Sequence, residues 1–182
     1  MFALRFVPLF LFATSFVTSA AVVEKRSTTA DVEAIFNTLQ SSIDSILPQI
    51  TALTSAGTAT DTTLTPLIND LITALNTATF SLGELTPVSL LGGLKKRQSE
   101  ADIASLVAEI ITNIVQALPA ADSAIPGLDS LLSLVDAALV GVLQNLKELL
   151  GNFLDASKPH FQDLAGQLSS HGLGLTASLL GL

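Results

Sequence analysis

The 182-residue chain has no cysteine, no tryptophan and no tyrosine. The first absence removes disulfide scaffolds, thiolate metal sites and cysteine nucleophiles together, and leaves apolar packing to hold the fold. The missing Trp and Tyr remove the aromatic platforms on which nucleic-acid bases stack. Basic residues are scarce too: 8 Lys and Arg stand against 16 Asp and Glu, a formal charge of −8. No phosphate-seeking surface can be built from that balance, so nucleic acid is not an expected partner. No Asn-x-Ser/Thr triplet occurs, so N-linked glycans are not expected. What is present is apolar: 49% hydrophobic residues and a mean hydropathy of +0.60, in a chain rich in Leu, Ile, Val, Ala, Ser and Thr. Such a chain can bury a core, and disorder throughout is excluded.

The first twenty residues read as an address. Arg5 precedes the apolar run Phe6 to Phe16, and Val17-Thr18-Ser19-Ala20 places small residues where signal peptidase cuts, after Ala20. Pro8 interrupts a run that is already too short for a membrane span. Behind it lie Lys25 and Arg26, and a second dibasic pair follows at Lys96 and Arg97, both expected in loops open to a subtilisin-like processing protease of the late secretory pathway. Removing residues 1–26 takes away Arg5, Lys25, Arg26 and Glu24, which leaves 5 basic and 15 acidic residues and a charge of −10. Further on, Ala137 to Leu146 is uncharged but bounded by Asp136 and Lys147, so no later segment is expected to span a bilayer. The expected location is secreted: extracellular, or at a cell wall.

Sliding the chain by 71 residues brings Lys25-Arg26 onto Lys96-Arg97, Ala30-Asp31 onto Ala101-Asp102, Ile43 onto Ile114 and Leu47-Pro48 onto Leu118-Pro119, 7 identities in 24 positions without a gap. Each copy opens on a cap-like stretch, Thr28 to Asp31 and Ser99 to Asp102, where a hydroxyl can accept from first-turn N–H groups. Each continues as an amphipathic helix, with stripes Val32, Phe36, Leu39, Ile43, Ile46, Ile50, Leu53 and Ile103, Val107, Ile110, Ile114, Ala117, Ala121, Ala124. Pro48 and Pro119 should kink or end them. The apolar residues Leu67, Ile68, Leu71, Ile72 and Leu75 meet Ala138, Leu139, Val142, Leu143 and Leu146 at the same offset.

The chain therefore reads as an all-α bundle of about five helices, with an internal duplication: residues 27–97 as a first repeat with linker, and residues 98–182 as a second. Between the first two helices, 8 of the 15 residues from Thr51 to Thr65 are Ser or Thr, a loop whose Thr58, Thr60, Thr62 and Thr63 are candidates for O-linked sugar. Thr65-Pro66 should open the second helix, running to about Ala78, and Ser81 to Arg97 should be a linker. A long helix is expected from Leu128 to Leu154, and a last short one from Lys158-Pro159 to about Gly172.

No constellation carries catalysis. His160 and His171 lie eleven residues apart and read as surface residues near helix ends; Gly172 to Ala177 formally matches a nucleotide fingerprint but follows no strand. Asp122, Asp129 and Asp136 recur every seven residues and read as a solvated face rather than a cation site. No metal, cofactor or enzyme activity is expected. The informative excess is in the long helix, where Leu131, Leu132, Val135, Leu139, Val142, Leu143, Leu146 and Leu150 help cover well over half the circumference. A surface helix needs only a stripe of about 100°. Either this helix is central to the bundle, or its surplus face meets an apolar surface or ligand.

Asp31-Val32-Glu33, Ile43 to Leu53 with Pro48, the Ser/Thr loop, and Leu71 to Thr79 before Leu82 resemble the fungal hydrophobic surface-binding protein A family, over about residues 28–85. The second half, ending Gly174-Leu175-Thr176-Ala177-Ser178-Leu179-Leu180-Gly181-Leu182, is similar to cysteine-free hydrophobic secreted proteins of mushroom-forming fungi. The resemblance implies a secreted helical bundle that adsorbs to hydrophobic surfaces or the air–water boundary, associates with cell-wall polymers, and in some members recruits a hydrolase or holds a fatty acid between helices. Two alternatives stand beside surface binding: a fatty-acid or sterol carrier, and a precursor cut after Arg97 into two active fragments.

Overall fold

A computed structural model describes residues 28–86, 93–119, 125, 127–151 and 153–182. Ala20, Lys25 and Arg26 lie outside the described residues, as do Asp122, Ala121 and Ala124. The fold is all-α, and no strand occurs among the described residues. Four long helices, α1 (Thr29–Ser55), α2 (Asp61–Gly83), α3 (Gly93–Ala117) and α4 (Leu128–Leu150), are followed by α5 (Phe153–Phe161), a 3-10 turn (Gln162–Leu164), α6 (Ala165–Ser170) and α7 (Gly174–Leu180).

α1 starts where its cap chemistry requires. The Asp31 amide donates to Thr28 Oγ1 at 3.3 Å and the Thr28 amide donates to Asp31 Oδ2 at 2.8 Å, a reciprocal box that satisfies two orphan donors. The expected stripe is buried from Val32 through Ile50, with Leu53 packed at its edge. Pro48 neither ends nor replaces the helix, which continues to Ser55. It lies on the exposed side, so the Asp44 carbonyl it cannot serve is left to water instead of being trapped in the core.

Several boundaries differ from the sequence reading. α2 begins at Asp61, not Pro66, because Thr60 supplies the cap: the Thr63 amide donates to Thr60 Oγ1 (3.3 Å) and the Thr60 amide to Thr63 Oγ1 (2.9 Å). The Ser/Thr loop shrinks to residues 56–60. α2 also runs past Ala78 to Gly83, and α3 begins at Gly93, so the expected linker is helical at both ends and the expected cap at Ser99 to Asp102 lies inside a helix. Lys and Gln are good helix formers, and nothing in Lys95-Lys96-Arg97-Gln98 breaks a helix. Only at Pro119 does the expected stop hold, α3 closing at Ala117.

α4 stops at Leu150, four residues early. Gly151 takes φ +63°, a left-handed turn that lets the chain leave α4 and re-enter helix at Phe153. Pro159, expected to open the last helix, lies inside α5 with its ring exposed. The apolar ending, beyond the last helix expected, folds into α7. Seven α-helices thus occur among the described residues where about five were expected.

α1 and α2 form an antiparallel pair. α2 and α4 run parallel: Asp61 reaches Gly127 at the start of both, and near the end of α2 Thr79 meets Gly141 while its carbonyl accepts from Asn145 Nδ2 (2.7 Å), further along α4. At Gly141 a Cβ would come within 3.2 Å of Thr79 Cγ2, so the glycine permits this close approach. α3 packs on α1, α4 on α2, and α5 stands against both α3 and α4. One continuous apolar core runs through all of them. Its burial repeats at the offset of 71: Val32 and Ile103, Phe36 and Val107, Ile43 and Ile114, Ile68 and Leu139, Leu75 and Leu146 are all buried.

Candidate functional site

The apolar face proposed on the long helix is interior. Leu132, Val135, Leu139, Val142, Leu143, Leu146 and Leu150 are all buried, and Leu131 is partly buried against the same core. The overfull circumference has a packing reason: α4 is flanked by α2, α5 and α7 at once. It is not an open binding face in this structure. By length and composition α4 is nevertheless apolar enough to cross a membrane, contrary to the expectation that no later segment is; 44% of its most apolar stretch is buried within the bundle.

Asp136 overturns the solvated-face reading. It is 3% exposed, while its heptad neighbour Asp129 is exposed as expected. Its Oδ2 accepts the Leu175 amide at 2.8 Å, and its Oδ1 accepts the Thr176 amide at 2.8 Å and the Thr176 hydroxyl at 2.6 Å. A buried carboxyl group is tolerated when its oxygens are hydrogen-bonded. A signal was available in the sequence: Asp136 sits four residues after Leu132 and three before Leu139, in line with the apolar stripe. The heptad of acids concealed it.

The histidines divide. His160 is exposed, whereas His171, expected at the surface, is half-buried with Nδ1 3.3 Å from the Pro119 carbonyl. Among the described residues no three His, Asp or Glu side chains converge on a common point. Of the threonine candidates, Thr58, Thr60, Thr62 and Thr63 are all exposed, but the hydroxyls of Thr60 and Thr63 are engaged in the α2 cap. Positions 96 and 97 of the second dibasic pair fall within α3 and not in a loop, and the boundary drawn between residues 97 and 98 cuts through that helix.

Two open grooves flank α1. One, about 590 Å³, lies between α1 and α2, floored by Ile35, Leu39, Ile46 and Ala78 and rimmed by Thr38, Ser42, Thr73 and Thr77. These four rim hydroxyls each donate to the carbonyl four residues back in their own helix, and the groove reads as weakly polar. The other, about 780 Å³, lies between α1 and α3 around Pro48. Large apolar side chains also reach solvent: Phe80 (70% exposed), Leu175 (61%), Leu134 (53%) and Leu182 (38%).

The fold and these features define an acidic, cysteine-free, all-α bundle whose helices are joined by apolar packing and a few long-range polar contacts. No family model matches the chain. Over 77 residues it is 42% identical to fruiting body differentiation protein 16 of Flammulina velutipes, a stretch covering 42% of this chain and 60% of that protein. The chain thus spans less than two thirds of that relative. The match supports the likeness to proteins of mushroom-forming fungi; it does not single out the hydrophobic surface-binding protein A family.

Proposed function

We propose that the mature chain is a secreted, non-enzymatic protein of fungal development that adsorbs to hydrophobic surfaces, at the wall of fruiting-body cells or at an air–water boundary. One observation carries this reading: a single apolar core joins every helix, and nothing covalent locks it. Burial contributes about 25 cal/mol per Å² whether the partner is another helix or an oily surface, so such a boundary can replace helix–helix packing. The outer faces help, since α1 presents Ser41, Ser45, Gln49 and Thr51 rather than a charged shell. The relative's name points to fruiting-body differentiation. Wall polysaccharide is the weaker partner, because a chain without Trp or Tyr has few flat platforms for sugars.

The test is adsorption of the secreted chain. Protein from culture medium and protein stripped from hydrophobic beads are compared by intact mass and N-terminal sequence, alongside pendant-drop surface tension. Enrichment on the bead of one acidic species starting near Ser27, with a marked fall in tension, is expected. Recovery only from the medium, with tension unchanged, overturns the proposal. The groove between α1 and α2 favours a second reading, a carrier for an acyl chain or sterol. A chain that shows no co-purified lipid by native mass spectrometry and no thermal stabilisation by added fatty acid is not such a carrier.

A further inference from the structure

α7 has seven residues, well below the length at which a helix is stable by itself in water, so its helicity depends on docking. It docks through Leu173, Thr176, Ala177 and Leu180, all buried, and its principal neighbours are α4 and α6. Most helices find partners for their first-turn N–H groups in their own cap. α7 does not: its N-cap residue is Leu173, which makes no side-chain cap bond. The donors at Leu175 and Thr176 go instead to Asp136, a side chain of another helix. The link back to α6 is a tight turn at Gly172, φ +73°, closed by the Leu173 amide donating to the Leu168 carbonyl (2.9 Å), and Gly172 is the hinge about which α7 would swing.

Beneath it lies apolar surface. Asp136 shares its face of α4 with Leu132, Leu139 and Leu143, each buried. The latch also offers a handle, because Leu175, whose amide is bonded to Asp136, leaves its side chain 61% exposed. We propose that α7 is a latch, held by Asp136, that covers the apolar face of α4 in water and gives it up at an oily or air boundary. This rests on the surface-binding reading above. An apolar phase compensates the uncovered leucines, and the three donors released from Asp136 can turn to water. α6 is shorter still, but α7 is the short helix whose first-turn donors are held by one side chain of α4, so opening starts here.

Full-length wild type is compared with Thr176→Val, which removes one donor and keeps the shape, and with Asp136→Asn, which keeps the volume and disrupts the acceptor pair. Asn145→Ala, which removes an inter-helix hydrogen bond elsewhere, is the control. Two quantities are read: hydrogen exchange of the amides from 175 to 180, and the lag before surface pressure rises at an octane–water drop. Both latch variants should exchange about tenfold faster at α7, with α1 and α2 unchanged, as loss of a buried hydrogen bond implies. Their lag should shorten several-fold, and that of Asn145→Ala should not. If circular dichroism shows Asp136→Asn unfolded, Thr176→Val decides. Unchanged exchange in Thr176→Val overturns Asp136 as the anchor. A loosened α7 with an unchanged lag overturns the latch and leaves surface binding standing. Failure of every chain to adsorb, wild type included, overturns surface binding and the latch with it.

Discussion

Asp129 and Asp136 are seven residues apart on one helix, yet one meets water and the other three donors in the core. Spacing alone cannot separate them, because the partner at Thr176 lies forty residues further on. Gly141 makes the same point. In the sequence it is a helix-weakening residue without a reason; in the bundle it lets Thr79 approach, and a Cβ would sit 3.2 Å from its methyl group. Gly141→Val should therefore push α2 from α4 and lower stability by about 2 kcal/mol, read as a lower urea midpoint with an unchanged slope. A midpoint equal to that of the wild type would show that α2 shifts freely.

The amphipathic stripes of α1 and α3 were readable because burial follows the 3.6-residue period; Val32, Phe36, Ile43, Ile103, Val107 and Ile114 are all interior. Helix ends were less readable. Ser and Thr suit both loops and caps, so Thr51 to Thr65 suggested a loop where the chain spends only residues 56–60 between helices. Thr60→Ala should destabilise the protein by about 1 kcal/mol, measured by thermal or urea unfolding, because it removes the acceptor of the Thr63 amide. Thr62→Ala, exposed in the first turn of α2, should change stability little. If this region carries O-linked sugar, Thr62 is the hydroxyl that loses least by it, since that of Thr58 donates to the Leu53 carbonyl (3.4 Å), which glycopeptide mass spectrometry can read.

At the scale of the molecule, the two halves that share the offset of 71 are not separate units. α3 lies on α1 and α4 lies parallel to α2, tied by Asn145 to Thr79, so the interface between halves is itself core. Cleavage after Arg97 should therefore leave a two-chain assembly and not two free fragments. A protein nicked there should run as one species in native mass spectrometry and as two bands after denaturation. Separation under native conditions would show that each half folds alone. The helical backbone at Lys96 and Arg97 should also slow the cut, since proteases take extended segments, and cleavage should speed up under mildly denaturing conditions.

The sequence by itself determined the all-α class, the cap at Thr28, the core face of α1 and the dependence on apolar packing. Each follows from residue type and spacing within one turn or one helix. Only the tertiary structure decided that the leucines of α4 face inward, that Asp136 holds α7, and that α1 continues through Pro48. Those outcomes depend on which neighbour arrives at a given face. An apolar face has the same composition whether α2, α5 and α7 cover it or an oily surface does, and a carboxylate is buried or solvated according to whether distant donors reach it. The function proposed here turns on that equivalence.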